Sequence, residues 1–335
     1  MPETQTSLCP RCGAPIPPPS AVRAQRCPYC RTLLSPADGI WRPQNDDEDR
    51  TYGDTREPRL WIGGHRYALI GRLARGEGSD VFLGRRDEAM GARVVIKILR
   101  AEGAADLFAR EERVLEDLSH ATARGAAHFG RLVPERVAFG RARLGLNGKD
   151  GQREVAIRRY RAGFVHALED VRRAHGDALD PAHGVWAWKR TLELLGFVHG
   201  AGYVHGAVLP EHLLFDVRDH GVVLAGFSRA VRPGERLPAR TRGRDAFYPE
   251  SIARGATVTE ATDLAMSARA VLQLLGGDPR RAPARVAAPL APLLERVATD
   301  ASGHTAWSLV DEVSRAAEEV FGPPRFVPLT MPDRG

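Results

Sequence analysis

All four cysteines of this chain fall within its first 30 residues, as Cys9-Pro10-Arg11-Cys12 and Cys27-Pro28-Tyr29-Cys30. Two residues inside each pair let both sulfurs of a tight turn face one point. The 14 residues between the pairs (13–26) suffice for a short hairpin that brings the second turn back to the first. Four thiolates so spaced suit tetrahedral Zn²⁺, and the gap is only slightly shorter than the usual one. Gly13 supplies the positive φ that such a knuckle often requires. Two disulfides or a redox dithiol are the alternatives. Disulfides are rare in a reducing compartment, and a redox dithiol has no need of two copies. The expectation is a zinc ribbon over residues 1–35, with Cys9, Cys12, Cys27 and Cys30 as ligands and too little apolar content to fold without metal.

Arg11, Arg23, Arg26 and Arg31 give the ribbon a basic face, but only Tyr29 offers a stacking surface beside it. Docking to protein is therefore expected before nucleic-acid binding, which usually interleaves basic and aromatic residues. Residues 36–59 read as a linker: the charge run Asn45-Asp46-Asp47-Glu48-Asp49-Arg50 has almost nothing to bury. The rest of the 335 residues, in a chain 43% hydrophobic and 27% charged, can bury one large domain. No apolar run approaches the ~20 residues of a membrane span, and the N-terminus lacks the marks of a secretory signal. A cytoplasmic protein without membrane contact is expected. The net charge of +6 permits acidic partners without requiring them.

The helix-like run Val185 to His199 leads into His205-Gly206-Ala207-Val208-Leu209-Pro210-Glu211-His212-Leu213-Leu214. This stretch resembles the catalytic loop of protein kinases, whose pattern is His-Arg-Asp-Leu-Lys-Pro-Glu-Asn followed by two apolar residues. The scaffold letters match, and the chemical ones do not. Ala207 stands at the base, Leu209 at a phosphate-contacting lysine, and His212 at a metal-binding asparagine. Gly206 replaces the arginine that grips an activation-segment phosphate.

The same resemblance covers residues 60–326. It implies an α+β, two-lobed kinase-like fold, with a β-rich lobe over 60–160, a helical lobe over 161–326 and a tail at 327–335. Tyr67 to Leu73 alternates as a strand does. Ala74 to Gly84 matches the glycine-rich hairpin that covers nucleotide phosphates, placing Gly76, Gly78 and Val81 at the nucleotide. Arg93-Val94-Val95-Ile96-Lys97 matches the strand whose lysine reaches those phosphates. An edge-strand lysine in solvent is the plainer alternative for Lys97, disfavoured by its apolar surroundings. Glu111, or Glu112 one residue on, occupies the glutamate position of the next helix. Arg158 falls at the gate of the nucleotide pocket, or in solvent if the register slips by one.

Gly221 to Ser228 resembles the Asp-Phe-Gly segment, with Phe227 kept and Gly226 in place of the metal-binding aspartate. Tyr248-Pro249-Glu250 resembles the end of the activation segment, although the arginine partner of Glu250 is missing from Ala301 to Thr305. Asp263 matches the helix residue that ties down the catalytic loop. Trp186 and Trp188 read as core. Glu211 and Asp216 are the nearby acids, and neither matches a lost position.

What the resemblance implies is a pseudokinase: a regulatory or protein-binding module with no catalytic residues at Ala207, His212 and Gly226. Residual nucleotide contact through Lys97 and Glu111 would make any ATP binding weak or magnesium-independent. The alternatives are an active Ser/Thr kinase with atypical metal ligands and a nucleic-acid-associated protein acting through its ribbon. Arg236 to Arg244 reads as either an acid-docking surface or mere exposure, and the Pro-rich tail as either packed or a peptide ligand.

Overall fold

The computed structural model describes residues 7–10, 12–16, 25–30, 32–37, 40–43, 58–88, 91–145 and 151–331. The chain forms two compact units, Met1–Asp106 with Arg136–Tyr160, and Leu107–Glu135 with Arg161–Gly335.

In the first unit, β1 (Ser7–Leu8) pairs with β2 (Pro15–Ile16), and β3 (Gln25–Arg26), β4 (Leu33–Ala37) and β5 (Ile40–Pro43) form a second small sheet. Because β5 folds back on β4, strand pairing reaches into the stretch read as linker. The acidic run and the Pro17-Pro18-Pro19 run lie outside the described residues.

Strands β6 (Arg59–Ile62), β7 (His65–Arg75), β8 (Ser79–Arg86), β9 (Arg93–Leu99), β10 (Arg136–Gly145) and β11 (Gln152–Arg159) close into an antiparallel barrel in the order β10-β11-β9-β8-β7-β6. Period-two alternation fills it: Val94, Ile96 and Ile98 meet Phe82, Val155 and Ile157 inside. Residues between them, Val95 and Lys97 among these, take the opposite face.

Part of that opposite face carries the ribbon. Leu83, Ile70 and Tyr160 join Cys9, Cys12, Ile16, Cys27, Leu34 and Tyr29 in one apolar cluster. Arg93 donates from Nη2 to the Gly13 carbonyl at 3.1 Å. The ribbon sequence, too apolar-poor to build its own core, borrows one from the barrel.

The second unit contains α1 (Ala105–Ser119, beginning at the unit boundary), α2 (Ala126–Phe129), β12 (His166–Ala167), α3 (Leu168–Ala174), α4 (Pro181–Gly200), β13 (Leu213–Asp216), β14 (Gly221–Leu224), α5 (Glu250–Ala253), α6 (Glu260–Leu274), α7 (Leu290–Thr299) and α8 (Ala306–Phe321). Asp180 caps α4, accepting from the Ala182 N–H at 2.8 Å, with Pro181 in the first turn. Helix α6 is buried almost all round, and Trp188 of α4 reaches it, donating to Ser267 Oγ at 3.0 Å. Trp186 sits at the core margin, stacked 4.3 Å from His220. The tail packs rather than projects: Leu329 is buried, and the Thr330 carbonyl lies 3.1 Å from His175 Nε2. No helix among the described residues is long and apolar enough to cross a membrane.

Candidate functional site

The four cysteine sulfurs lie within 4.8 Å of one another. Cys9 and Cys30 are 3.8 Å apart and Cys12 and Cys27 3.6 Å. A tetrahedron with Zn–S bonds near 2.3 Å has edges of about 3.8 Å, close to these two separations. The first knuckle is closed by Gly13 N–H to the Cys9 carbonyl at 2.8 Å, with Gly13 at φ +67°. In the second, the Cys27 N–H bonds the Thr32 carbonyl at 2.8 Å. Hydrogen bonds from Cys12 and Cys27 push the Cys30 thiol below its ordinary range, while bonds to Cys27 and Cys30 push Cys12 above it. The thiols cannot all ionise together unless a cation stands between them. These residues can hold a metal ion such as zinc.

On the barrel, β7 and β8 meet in a hairpin closed by Gly76 N–H to the Ser79 carbonyl at 2.8 Å. Gly78 is glycine for space, since a β-carbon there would lie 2.3 Å from Ala104 Cβ. Arg100 holds the turn from below, donating from Nη2 to the carbonyls of Gly76 (2.7 Å) and Glu77 (3.0 Å). Val81 is the direct cross-strand partner of Lys97, whose other partner is Ala156, so the three form one row. Arg158 pairs with Val95 on the same face and is buried, whereas Arg159 is exposed. The solvent-exposed alternative for Arg158 is therefore not adopted.

The second unit builds the loop around Asp263. This buried carboxylate accepts from the backbone N–H of His205 (2.7 Å) and Gly206 (2.8 Å), and His199 Nε2 lies 3.0 Å from it. His205 is held neutral: Nε2 donates to the Ala225 carbonyl at 3.0 Å, and Nδ1 accepts from the Ala207 N–H at 3.2 Å. Complete burial pulls its pKa down to about 4, against an upward pull from the Asp263 charge and a lesser one from Glu111. Glu111 and Glu112 are both buried on α1, but it is Glu111 whose charge is felt in the loop.

Ala207 is fully buried. Its carbonyl takes a hydrogen bond from His212 Nδ1 at 2.8 Å. That bond turns the imidazole toward Gly226. A β-carbon on Gly226, which has φ +83°, would lie 2.6 Å from the ring. At Gly206 (φ +68°) a β-carbon would lie 2.4 Å from Leu237 Cδ2, so an apolar contact occupies the place of a larger side chain. Glu211 is tied to Arg244 at 2.9 Å, and Asp216 caps its hairpin by accepting from Arg218 N–H at 3.1 Å. Among the described residues, the four cysteines are the only cluster of three or more metal-ligating side chains.

Two residues that sequence reasoning missed hold the activation-segment region. Glu250 finds its partner in Arg280, at 3.0 Å and largely in solvent. The buried tie is Arg269 of α6, whose Nη1 donates to the carbonyls of Tyr248 (2.6 Å) and Ala246 (3.1 Å) and whose Nε donates to Ala298 (2.8 Å). A lone arginine within the apolar run of α6 was its signal. Arg100, following an apolar strand, gave none.

No family profile matches the chain. Over 183 residues it is 30% identical to serine/threonine-protein kinase F of Synechocystis sp., a match that covers 52% of this chain and 34% of that protein. The chain thus spans about a third of that relative's length. The crystal structure of the BubR1 kinase domain superposes with a TM-score of 0.59 at 14% identity, covering 80% of this chain and 86% of the other. With the six-stranded barrel and the Asp263-anchored loop already in place, these likenesses establish that the chain contains a protein kinase-like domain, preceded by a four-cysteine cluster able to hold a metal ion.

Proposed function

We propose that the kinase-like domain is catalytically impaired and acts as a regulatory, protein-binding module: a pseudokinase with a structural zinc ribbon. The observation that supports this most is the His212 ring lying where a side chain on Gly226 would have to be. Phosphoryl transfer in such folds depends on magnesium ions held by a carboxylate and an amide, together with a base at the acceptor hydroxyl. Here glycine supplies no ligand, and imidazole is a poor one for a hard, oxygen-seeking cation. Ala207 cannot take a proton, a loss that typically costs ~10²–10⁴-fold in rate. These defects fall on one constellation and are not additive.

Val81 and Lys97, side by side on the barrel, would be the residues left to meet a nucleotide. Any ATP bound would meet cationic side chains without a metal bridge. Thermal-shift titration with ATP, with and without Mg²⁺, tests this: a small shift indifferent to Mg²⁺ is expected. A shift that strictly requires Mg²⁺, or no shift under either condition, contradicts the reading. The second reading, an active Ser/Thr kinase with atypical ligands, is favoured by the likeness to serine/threonine-protein kinase F of Synechocystis sp.. Transfer of labelled γ-phosphate, abolished by Lys97→Met, would establish it. The partner of a regulatory module would be a protein, and what co-purifies with the intact chain is the direct way to find it.

A further inference from the structure

The second unit has a cavity of about 150 Å³ that belongs to none of the sites above. Arg110, Arg113, Arg232 and Glu235 line it, with Tyr203 and Val231 as its apolar part. Arg110 and Arg113 are three apart on α1 and so share one face. Among the described residues, neither makes a hydrogen bond or an ion pair. This is unusual, because an acid stands in the same cavity: Glu235 instead accepts the backbone N–H of Arg232 at 3.0 Å.

Arg232 is fixed in place. Its Nη1 donates to the carbonyls of Ala201 (3.3 Å) and Gly202 (3.1 Å), its Nη2 to Asp117 at 3.3 Å, and its guanidinium lies 3.9 Å from the Tyr203 ring centroid. Those three bonds leave Nε–H and one Nη2–H uncommitted. A guanidinium already immobilised loses little further freedom when it meets an anion. The cavity therefore combines one ordered fork with two unpaired ones, against a single engaged carboxylate.

We propose that this cavity binds a phosphate-type oxyanion, either free inorganic phosphate or a phosphorylated side chain. The planar arginine fork matches phosphate oxygens bidentately. A dianion balances Arg110 and Arg113 where a carboxylate would balance only one of them. The volume admits a phosphoryl group and is too small for a nucleotide. The position where the family carries its phosphate-gripping arginine is Gly206 here, and it does not line this cavity.

The test is calorimetric titration of the full-length protein with inorganic phosphate and with O-phospho-L-serine, at ionic strength matched by sodium chloride. Saturable binding of at least one is expected, weakened about tenfold or more in Arg110→Gln/Arg113→Gln, since each charge-assisted bond contributes appreciably. The double variant decides where its circular dichroism matches wild type. Otherwise Arg113→Gln, an exposed single change, decides, with a several-fold loss expected. Tighter phosphoserine points to a side-chain source, and equal or tighter phosphate to a free one. No saturable binding of either, or affinity unchanged in the deciding variant, overturns the proposal.

Discussion

The imidazole of His212 and the bare α-carbon of Gly226 are complementary: a β-carbon on the glycine would lie 2.6 Å from three ring atoms. The ring thus occupies the space that a side chain at position 226 would need. Gly226→Asp alone should destabilise the protein by about 2–4 kcal/mol, from overpacking plus an unfavourable φ of +83°. Adding His212→Asn should recover a substantial part of that loss, because contacting residues couple. Urea unfolding of the three variants measures this, and strictly additive effects would show that the ring and the glycine do not share the space.

His205 sets a pH dependence. Its folded pKa of about 4 lies below the ordinary histidine value, with burial as the chief cause. The unfolded chain therefore binds the proton more readily, and stability should rise with pH between about 4 and 6.5. The contribution is present at pH 7 and is lost on acidification through that window, in total about 3 kcal/mol. Denaturation at pH 7 and pH 5, with an NMR titration assigning the His205 ring, checks it. A ring that titrates near 6.5 in the folded protein would refute the assignment.

Metal removal should be felt beyond the ribbon. Leu83, Ile70 and Tyr160 of the barrel unit share a cluster with Cys9, Cys12 and Cys27. Chelation, or Cys12→Ser, should lower the melting temperature by several degrees, as uncovering apolar barrel surface requires. Elemental analysis should find one zinc per chain, released with proton uptake. A melting temperature indifferent to chelator, measured with zinc loss confirmed, would mean that the ribbon contributes nothing to the barrel's stability.

Arg269 and Arg280 should differ sharply. Arg280→Ala removes an exposed pair with Glu250 and should cost less than about 1 kcal/mol. Arg269→Met strands the buried carbonyls of Tyr248 and Ala298, with the half-buried one of Ala246, and should cost about 3 kcal/mol or more. Equal effects in chemical denaturation would show that the buried tie is not the stronger one.

The sequence by itself determined strands β7, β8 and β9 of the barrel, the long helix before the loop, the four-cysteine set able to hold a metal ion and the absence of chemistry-bearing letters at Ala207, His212 and Gly226. Each of these is written in local spacing or in the identity of a single residue, and neither depends on what lies elsewhere in the chain. Only the tertiary structure decided that Arg158 is buried on the outer face of the barrel, that Arg280 and Arg269 share the work expected of one missing arginine, and that the ribbon packs on the barrel face bearing Leu83. Those outcomes turn on which surfaces meet. A cation's fate and an apolar patch's cover are settled by partners tens or hundreds of residues away, as in the 80-residue separation between Arg93 and Gly13. His212 shows both levels: its identity is read from the sequence, and only its bond to the Ala207 carbonyl revealed where the ring went.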